Sequence, residues 1–361
     1  MLNNILVTGG AGFIGANFVH YWLAKYPQAK IVVVDALTYA GNKANLFAAQ
    51  ANSNFVFVCE NICNTAAIEA LLKKYEINAI VNFAAESHVD RSITGPDLFI
   101  ETNVVGTHSL LKAAKNVWLT DGNNQCEHRF HHVSTDEVYG SLGASQPAFK
   151  ESSVYAPSSP YSASKAASDH LVRAYHHTYG LNVTTSHCSN NYGPFQFPEK
   201  LIPLLILNLL LDKPLPVYGD GLQIRDWLSV DDHCLGIDLV LNKGASGQSY
   251  NLGANNEWAN INIVKLIGSK LEQMFNADAS LAAKYSTAKS VIAGKAHSLI
   301  QYVEDRPGHD RRYAVDASKA MRELGYAPQE TFESGIERTL RWYLDNDSWW
   351  RSVLDGSYRS F

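Results

Sequence analysis

Two pairs of residues in this chain have the types and spacing to move protons. Asp136 and Glu137 stand side by side in "STDEVYG", where an apolar, strand-like run finishes. Adjacent carboxyls resist double ionisation, so one can stay protonated as an acid while its neighbour is ionised as a base. They titrate as a coupled pair. Two acids considered alone read first as a solvated loop, the usual place for Asp and Glu. The second pair is Tyr161 and Lys165 in "PYSASKAASDHLVRAYHHTYG". Four residues apart on a helix, they share a face. An ammonium beside a phenol favours phenolate and lowers a pKa of about 10, which makes Tyr161 a general base. The spacing also occurs by chance on many helices, so its weight depends on what surrounds it.

The surroundings supply that weight. "VTGGAGFIG" places Gly9, Gly12 and Gly15 directly after a predicted strand and before the helical "ANFVHYWLAKY". Glycines there allow a tight turn and a close approach to a pyrophosphate, and the helix N-terminus adds partial positive charge. Asp35 closes the next strand, "KIVVVD", where an acid suits a ribose diol and repels a 2'-phosphate. NAD is favoured over NADP.

The elements that hold these residues follow from the pattern of the chain. Short β-branched runs ("NILVTG", "KIVVVD", "FVFVC", "AIVNFAA", "RFHHVS", "NVTTSHC") alternate with helical stretches. That alternation predicts an α/β fold with a doubly wound parallel (Rossmann) sheet. After about residue 190 it fails, and Pro, Gly, Trp and Arg gather in shorter elements. The expected division is an NAD-binding domain over 1–190 and, over 191–361, a smaller C-terminal α/β lobe that mainly binds substrate, with no linker between them and with interleaving of the two left open.

Composition sets further bounds. The chain has 361 residues, 46% of them hydrophobic, enough for a large core. A net charge of -5 provides no general attraction to nucleic acid or anionic lipid. Five cysteines without metal or disulfide spacing fit a reducing cytoplasm, and no N-terminal signal is expected. "LIPLLILNLLL" falls short of the ~20 residues of a membrane span and reads as a core helix. The histidines show no HExxH or similar spacing, so no metal is expected.

Together with "NFAAESHVDRS", "SNNYGPFQFPEKLIP", "GDGLQIRDWL" and "DRPGHDRRYA", these motifs resemble the extended short-chain dehydrogenase/reductase family over almost the full length. Within it the resemblance is to the dehydratases of nucleotide sugars. It implies the following chemistry. Tyr161 takes the proton of the sugar 4-hydroxyl, and NAD carries hydride from C4 to C6. Glu137 takes the C5 proton, Asp136 protonates the departing 6-hydroxyl, and Thr135 helps polarise the 4-oxygen.

The resemblance also implies the binding residues. Phe13 and Ile14 lie over the cofactor pyrophosphate, and Asp35, Ala36, Leu37 and Thr38 hold its adenosine ribose. Asn61 and Ile62 meet the adenine. Phe83, Ala84, Ala85, Ser87, Thr102, Ser134 and Asn191 complete the cofactor site with Tyr161 and Lys165. Relatives usually carry Asp where this chain has Asn61, which predicts somewhat weaker NAD binding without a change of reaction. Substrate contacts fall on Ser87, Thr135, Asn190, Lys200 and Leu201, on Pro216, Val217 and Tyr218, and on Arg225 and Asn260. Asp305, Arg306, Pro307, Gly308, His309 and Tyr358 complete that set. Arg225 and Arg306 suit a diphosphate, although Arg225 read alone fits an ion pair with Asp226 equally well. A homodimer is implied through "ETNVVGTHSLLKAAKNVW" and the Tyr161 helix. Two rivals share these features. A 4-epimerase or decarboxylase on the same scaffold has no need of the acid pair, and a silent NAD-binding module would show an eroded Tyr/Lys or acid pair.

Overall fold

The computed structural model describes residues 3–120, 127–305 and 308–360. Cys126, Arg306 and Pro307 lie outside the described residues. The six predicted runs form strands β1 (Asn4–Thr8), β2 (Lys30–Asp35), β3 (Phe55–Cys59), β4 (Ala79–Asn82), β5 (Arg129–Thr135) and β6 (Val183–Cys188). A seventh strand, Gln248–Leu252, adds to β6, and the order is Gln248–Leu252, β6, β5, β4, β1, β2, β3. Every pairing in this sheet is parallel. The sheet therefore takes its last strand from beyond residue 190.

Strands buried on both faces need apolar side chains in both directions, and β1 and β2 supply them. Ile5, Val7, Ile31 and Val33 enter one core layer, while Leu6, Val32 and Val34 enter the other. The chain reverses its winding between β1 and β4, where an open α/β sheet leaves a crevice at the carboxyl ends of its strands.

The second lobe centres on strand Ile224–Ser229, which pairs with Glu257–Ala259, Arg312–Tyr313 and Asn190–Tyr192. Asn190–Tyr192 follows β6 almost directly, so one stretch of backbone ties the catalytic sheet to the second lobe. Leu201–Leu210 is a helix within this lobe's core, as its all-round apolarity predicts. Among the described residues no helix is long and apolar enough to cross a membrane.

Several histidines are structural. His131 on β5 is fully buried between the hydroxyls of Thr184 (3.0 Å) and Ser186 (3.1 Å). Burial pushes its pKa from 6.5 down to about 3, with smaller contributions from His233 and Arg129. The folded state holds it neutral, so between about pH 6.5 and 3 only the unfolded chain takes up that proton. Stability is lost as pH falls through that window, by about 1.4 kcal/mol per pH unit for such a group. His131→Asn removes this dependence. In urea titrations the stability gap between wild type and variant narrows at that slope from pH 6.5 to 4; a constant gap would show that His131 is charged in the fold.

Candidate active site

The glycine turn is built for close approach. Gly9 has φ +65°, and a Cβ there would lie 2.6 Å from the Ala84 amide nitrogen. A Cβ on Gly15 would meet the Gly9 carbonyl oxygen at 2.3 Å. Gly12 caps helix Phe13–Lys25 without a side chain, leaving that helix end open to an anion. Asp35, at the end of β2, accepts from the amides of Ala11 (2.9 Å) and Leu37 (2.8 Å). It thus braces the glycine turn in addition to facing the cleft, a role its sequence position did not reveal. Burial raises its pKa, and the two amides partly offset that.

A cavity of about 310 Å³ runs along the strand ends. Gly9, Gly12, Phe13, Ile14, Gly15, Asp35, Ala36, Thr38, Asn61, Ile62, Phe83, Ala84, Ala85, Ser87 and Thr102 line it. So do Ser134, Thr135, Asp136, Glu137, Tyr161, Lys165, Asn190, Asn191 and Lys200. Residues at the ends of the six strands β1 to β6 are thereby brought to one cavity. A glycine cradle that a Cβ would fill, an open helix N-terminus and an acid at the end of β2 fit NAD.

Leu37 stands slightly apart from the other expected cofactor residues. It lines a smaller hollow next to the cavity, with φ +50° and its amide spent on Asp35. Tyr358 lies there too, donating to the Tyr39 carbonyl at 2.5 Å, in a hollow that the acid pair does not line.

The catalytic candidates converge from two elements. Thr135 ends β5 in an extended conformation and caps the short turn Asp136–Tyr139, accepting from the Glu137 amide at 3.3 Å. Its hydroxyl donates to Asp136 Oδ1 at 3.3 Å. Asp136 is 1% exposed and Glu137 half-buried. Burial, then the charges of Glu137 and Asp226, raise the Asp136 pKa well above the carboxylate range. A buried acid beside a more open one is the division of labour that acid and base catalysis need.

Tyr161 and Lys165 come from helix Pro160–Tyr179. Ser159 and Ser162 form a capping box at its start, Pro160 occupies its first turn, and Gly180 ends it at φ +71°. Tyr161 is 9% exposed, and burial followed by the Glu137 charge raises its pKa. The four-residue spacing to Lys165 predicts the opposite direction. The Lys165 Nζ instead donates to the Val133 carbonyl at 2.8 Å, and burial lowers its own pKa.

One turn beyond Lys165, the buried Asp169 accepts from Ser134 Oγ (2.9 Å), Tyr155 (3.0 Å) and His187 Nε2 (3.1 Å). His132 Nε2 lies 3.4 Å from its other oxygen. This network anchors the end of β5 and provides Lys165 with a counter-charge. Sequence reasoning passed over it; the signal was the i,i+4 spacing of Lys165 and Asp169.

The expected substrate residues divide into two groups. Ser87, Thr135, Asn190 and Lys200 line the cavity, and Asn190 Oδ1 is a buried acceptor without a partner. Lys200 donates to the Ser87 carbonyl at 2.8 Å. The others belong to the second lobe. Pro216, Val217 and Tyr218 lie on strand Leu215–Tyr218, where the Val217 side chain is only 2% exposed and packs into the core. Leu201 packs against the same core. His309 pairs with Asp305 at 2.6 Å near the Tyr218 ring, Gly308 lies beside Ser158, and the Asn260 amide donates to Gln223. Arg225 stacks 4.2 Å over Tyr313 and donates to the Ile224 and Asp310 carbonyls. Asp226 instead accepts from Ser189 and the Asn256 amide, each at 2.6 Å.

A Rossmann sheet with a glycine-turn cofactor site, a Tyr/Lys helix and a second lobe facing the strand ends defines an extended short-chain dehydrogenase/reductase. Residues 6–339 match the family model described as GDP-mannose 4,6 dehydratase. The chain belongs to the nucleotide-sugar 4,6-dehydratases, and its similarities within them are to dTDP-glucose 4,6-dehydratases. It is 52% identical over 359 residues to that of Neisseria meningitidis serogroup B, covering 99% of this chain and 98% of the relative. It is 54% identical over 357 residues to that of Xanthomonas campestris pv. campestris strain B100, covering 98% and 97%. The crystal structure of the Streptomyces venezuelae dTDP-glucose 4,6-dehydratase, with NAD bound, superposes with a TM-score of 0.85 at 45% identity, covering 97% of this chain and 99% of that one.

Proposed function

We infer that the protein converts dTDP-glucose to dTDP-4-keto-6-deoxyglucose and water. NAD bound along the glycine turn supplies an acceptor for the C4 hydride and its donor for C6. Tyr161 takes the 4-hydroxyl proton once the positive charge of bound NAD offsets the burial and the Glu137 charge that raise its pKa, and Thr135 orients that oxygen. The new ketone acidifies C5, from which Glu137 removes a proton. Asp136, kept protonated by burial, gives its proton to the 6-hydroxyl as it leaves. Glu137 then returns a proton to C5. The observation that carries this reading is the burial of Asp136 beside the half-buried Glu137, at the strand end that also meets Tyr161. Incubation with dTDP-glucose in heavy water tests it. The expected product is lighter by one water and carries deuterium at C5; an unchanged mass would instead indicate an epimerase.

The reading includes a homodimer in a reducing cytoplasm. Leu98, Ile100 and Val105 are 60, 49 and 48% exposed along the helical run 97–120, and Tyr179 is 47% exposed at the end of the Tyr161 helix. Apolar exposure of this kind supports pairing of these helices between two copies. Light scattering is expected to give twice the 39.8 kDa protomer mass, and Leu98→Glu with Val105→Glu to give one protomer. A single-protomer mass for the wild type removes the dimer. The described cysteines 59, 63, 188 and 234 are all free, in keeping with a reducing compartment.

A further inference from the structure

The glycine turn is shaped by its own residues, and it is also held from behind by a distant part of the chain. Ala11, in the middle of the turn, is fully buried. Its amide donates to Asp35, and its carbonyl oxygen accepts from the Asn42 amide at 3.0 Å and from Asn45 Nδ2 at 2.9 Å. Those two donors use both lone pairs of the carbonyl. At the other end of the same peptide, the Gly12 amide donates to the Gly9 carbonyl at 3.2 Å. This peptide directly precedes helix Phe13–Lys25, whose first amides have no partner within the helix. Its orientation therefore sets whether those amides point at an anion or away from it.

Asn45 is 2% exposed and is fixed at three places. Its carbonyl lies 2.7 Å from His20 Nε2, on the helix that the turn opens. Its Nδ2 reaches Ala11, and its Oδ1 accepts from the indole Nε1 of Trp349 at 2.7 Å. Trp349 belongs to helix Asp347–Asp355 and packs against the core of the second lobe, its ring 5.1 Å from that of Trp342 and 6.0 Å from that of Phe195. An indole N–H can only donate, and a backbone carbonyl can only accept. Trp349 therefore dictates which way round the Asn45 amide sits, with its oxygen to the indole and its nitrogen to the turn. Without the indole N–H, nothing at that end prevents the amide from turning its oxygen toward the Ala11 carbonyl, where two acceptors repel.

We propose that Asn45 is a positioning residue for the cofactor and that Trp349, from the second lobe, sets its orientation. Asn45 holds the Ala11 carbonyl back, and the helix start that follows keeps the shape a dinucleotide pyrophosphate needs. Neither side chain is among those lining the cavity, so with NAD as the cofactor of the reaction proposed above, their effect on it passes through the backbone of the turn.

Equilibrium dialysis of the holoenzyme against radiolabelled NAD tests this with Asn45→Asp, Asn45→Ala and Trp349→Phe. Asn45→Asp keeps the size of the side chain but cannot donate to Ala11, and Trp349→Phe keeps an aromatic ring but loses the N–H. Each single variant is expected to bind NAD about three- to tenfold more weakly, the range for one lost hydrogen bond, while kcat at saturating NAD stays within about twofold of wild type. In the Asn45→Ala background, Trp349→Phe is expected to cause no further loss, because it acts only through that amide. A purely packing role for Trp349 would make the two losses additive. Wild-type NAD affinity in Trp349→Phe, or an undiminished loss in the double variant, overturns the proposal; if an Asn45 variant does not fold, Trp349→Phe decides alone. A wild type that binds no NAD refutes the cofactor assignment itself, so the two failures are distinguishable.

Discussion

Glu137→Gln is expected to slow product formation by about 10²–10⁴-fold, the range for loss of a general base, while C4 oxidation continues. Absorbance of reduced cofactor then rises toward one equivalent per site and stays there, because the oxidised sugar cannot lose its C5 proton. Asp136→Asn should stall one step later. Glu137 still exchanges the C5 proton, so in heavy water deuterium enters C5 of recovered sugar although no water is eliminated. The contrast follows from the different burial of the two acids. Asp136, 1% exposed with its pKa raised, suits the protonated partner, and Glu137, half-buried, suits the base. If Glu137→Gln abolishes cofactor reduction as completely as product, the acid pair does not divide the steps in this way. If Asp136→Asn alone prevents deuterium uptake, the two roles are reversed.

Gly15→Ala is expected to weaken NAD binding by on the order of ten- to a hundredfold, which corresponds to about 1.4–2.7 kcal/mol. The added Cβ would lie 2.3 Å from the Gly9 carbonyl oxygen, a backbone atom with little freedom to yield. Gly9 is itself pressed against the Ala84 backbone, so the turn cannot retreat toward β4. Strain of this size is therefore expressed where the turn must cradle a ligand. Gly294→Ala is the control. It also has positive φ, +67°, but no atom lies within 4 Å of its added Cβ, so only a small loss of stability is expected. Isothermal titration with NAD compares the two. Equal affinity of Gly15→Ala and wild type would show that the turn does not hold the pyrophosphate.

Much of this architecture is written in local pattern. A strand that is buried on both faces must be apolar at successive positions, and a helix start needs its cap, so β1 to β6 and the Ser159-capped helix are readable from residues close in sequence. Gly9, Gly12, Gly15 and Asp35 are legible for the same reason, since a phosphate turn and the acid beyond it lie within one βαβ unit. Adjacency also revealed Asp136 with Glu137, and helical spacing revealed Tyr161 with Lys165.

Contacts between distant segments left no such trace. The last strand of the main sheet, Gln248–Leu252, comes from the far half of the chain, and its place beside β6 depends on long-range packing. Nothing local announces that the Val217 side chain enters the second core or that Tyr358 sits against Tyr39. Burial, a property of the whole fold, raises the Tyr161 pKa and turns Lys165 to the Val133 carbonyl. The sequence by itself determined which residues could carry and exchange protons. Tertiary structure alone decided which are dry, which are paired and in which direction each hydrogen bond runs, because desolvation and donor geometry depend on neighbours that the chain brings together only by folding.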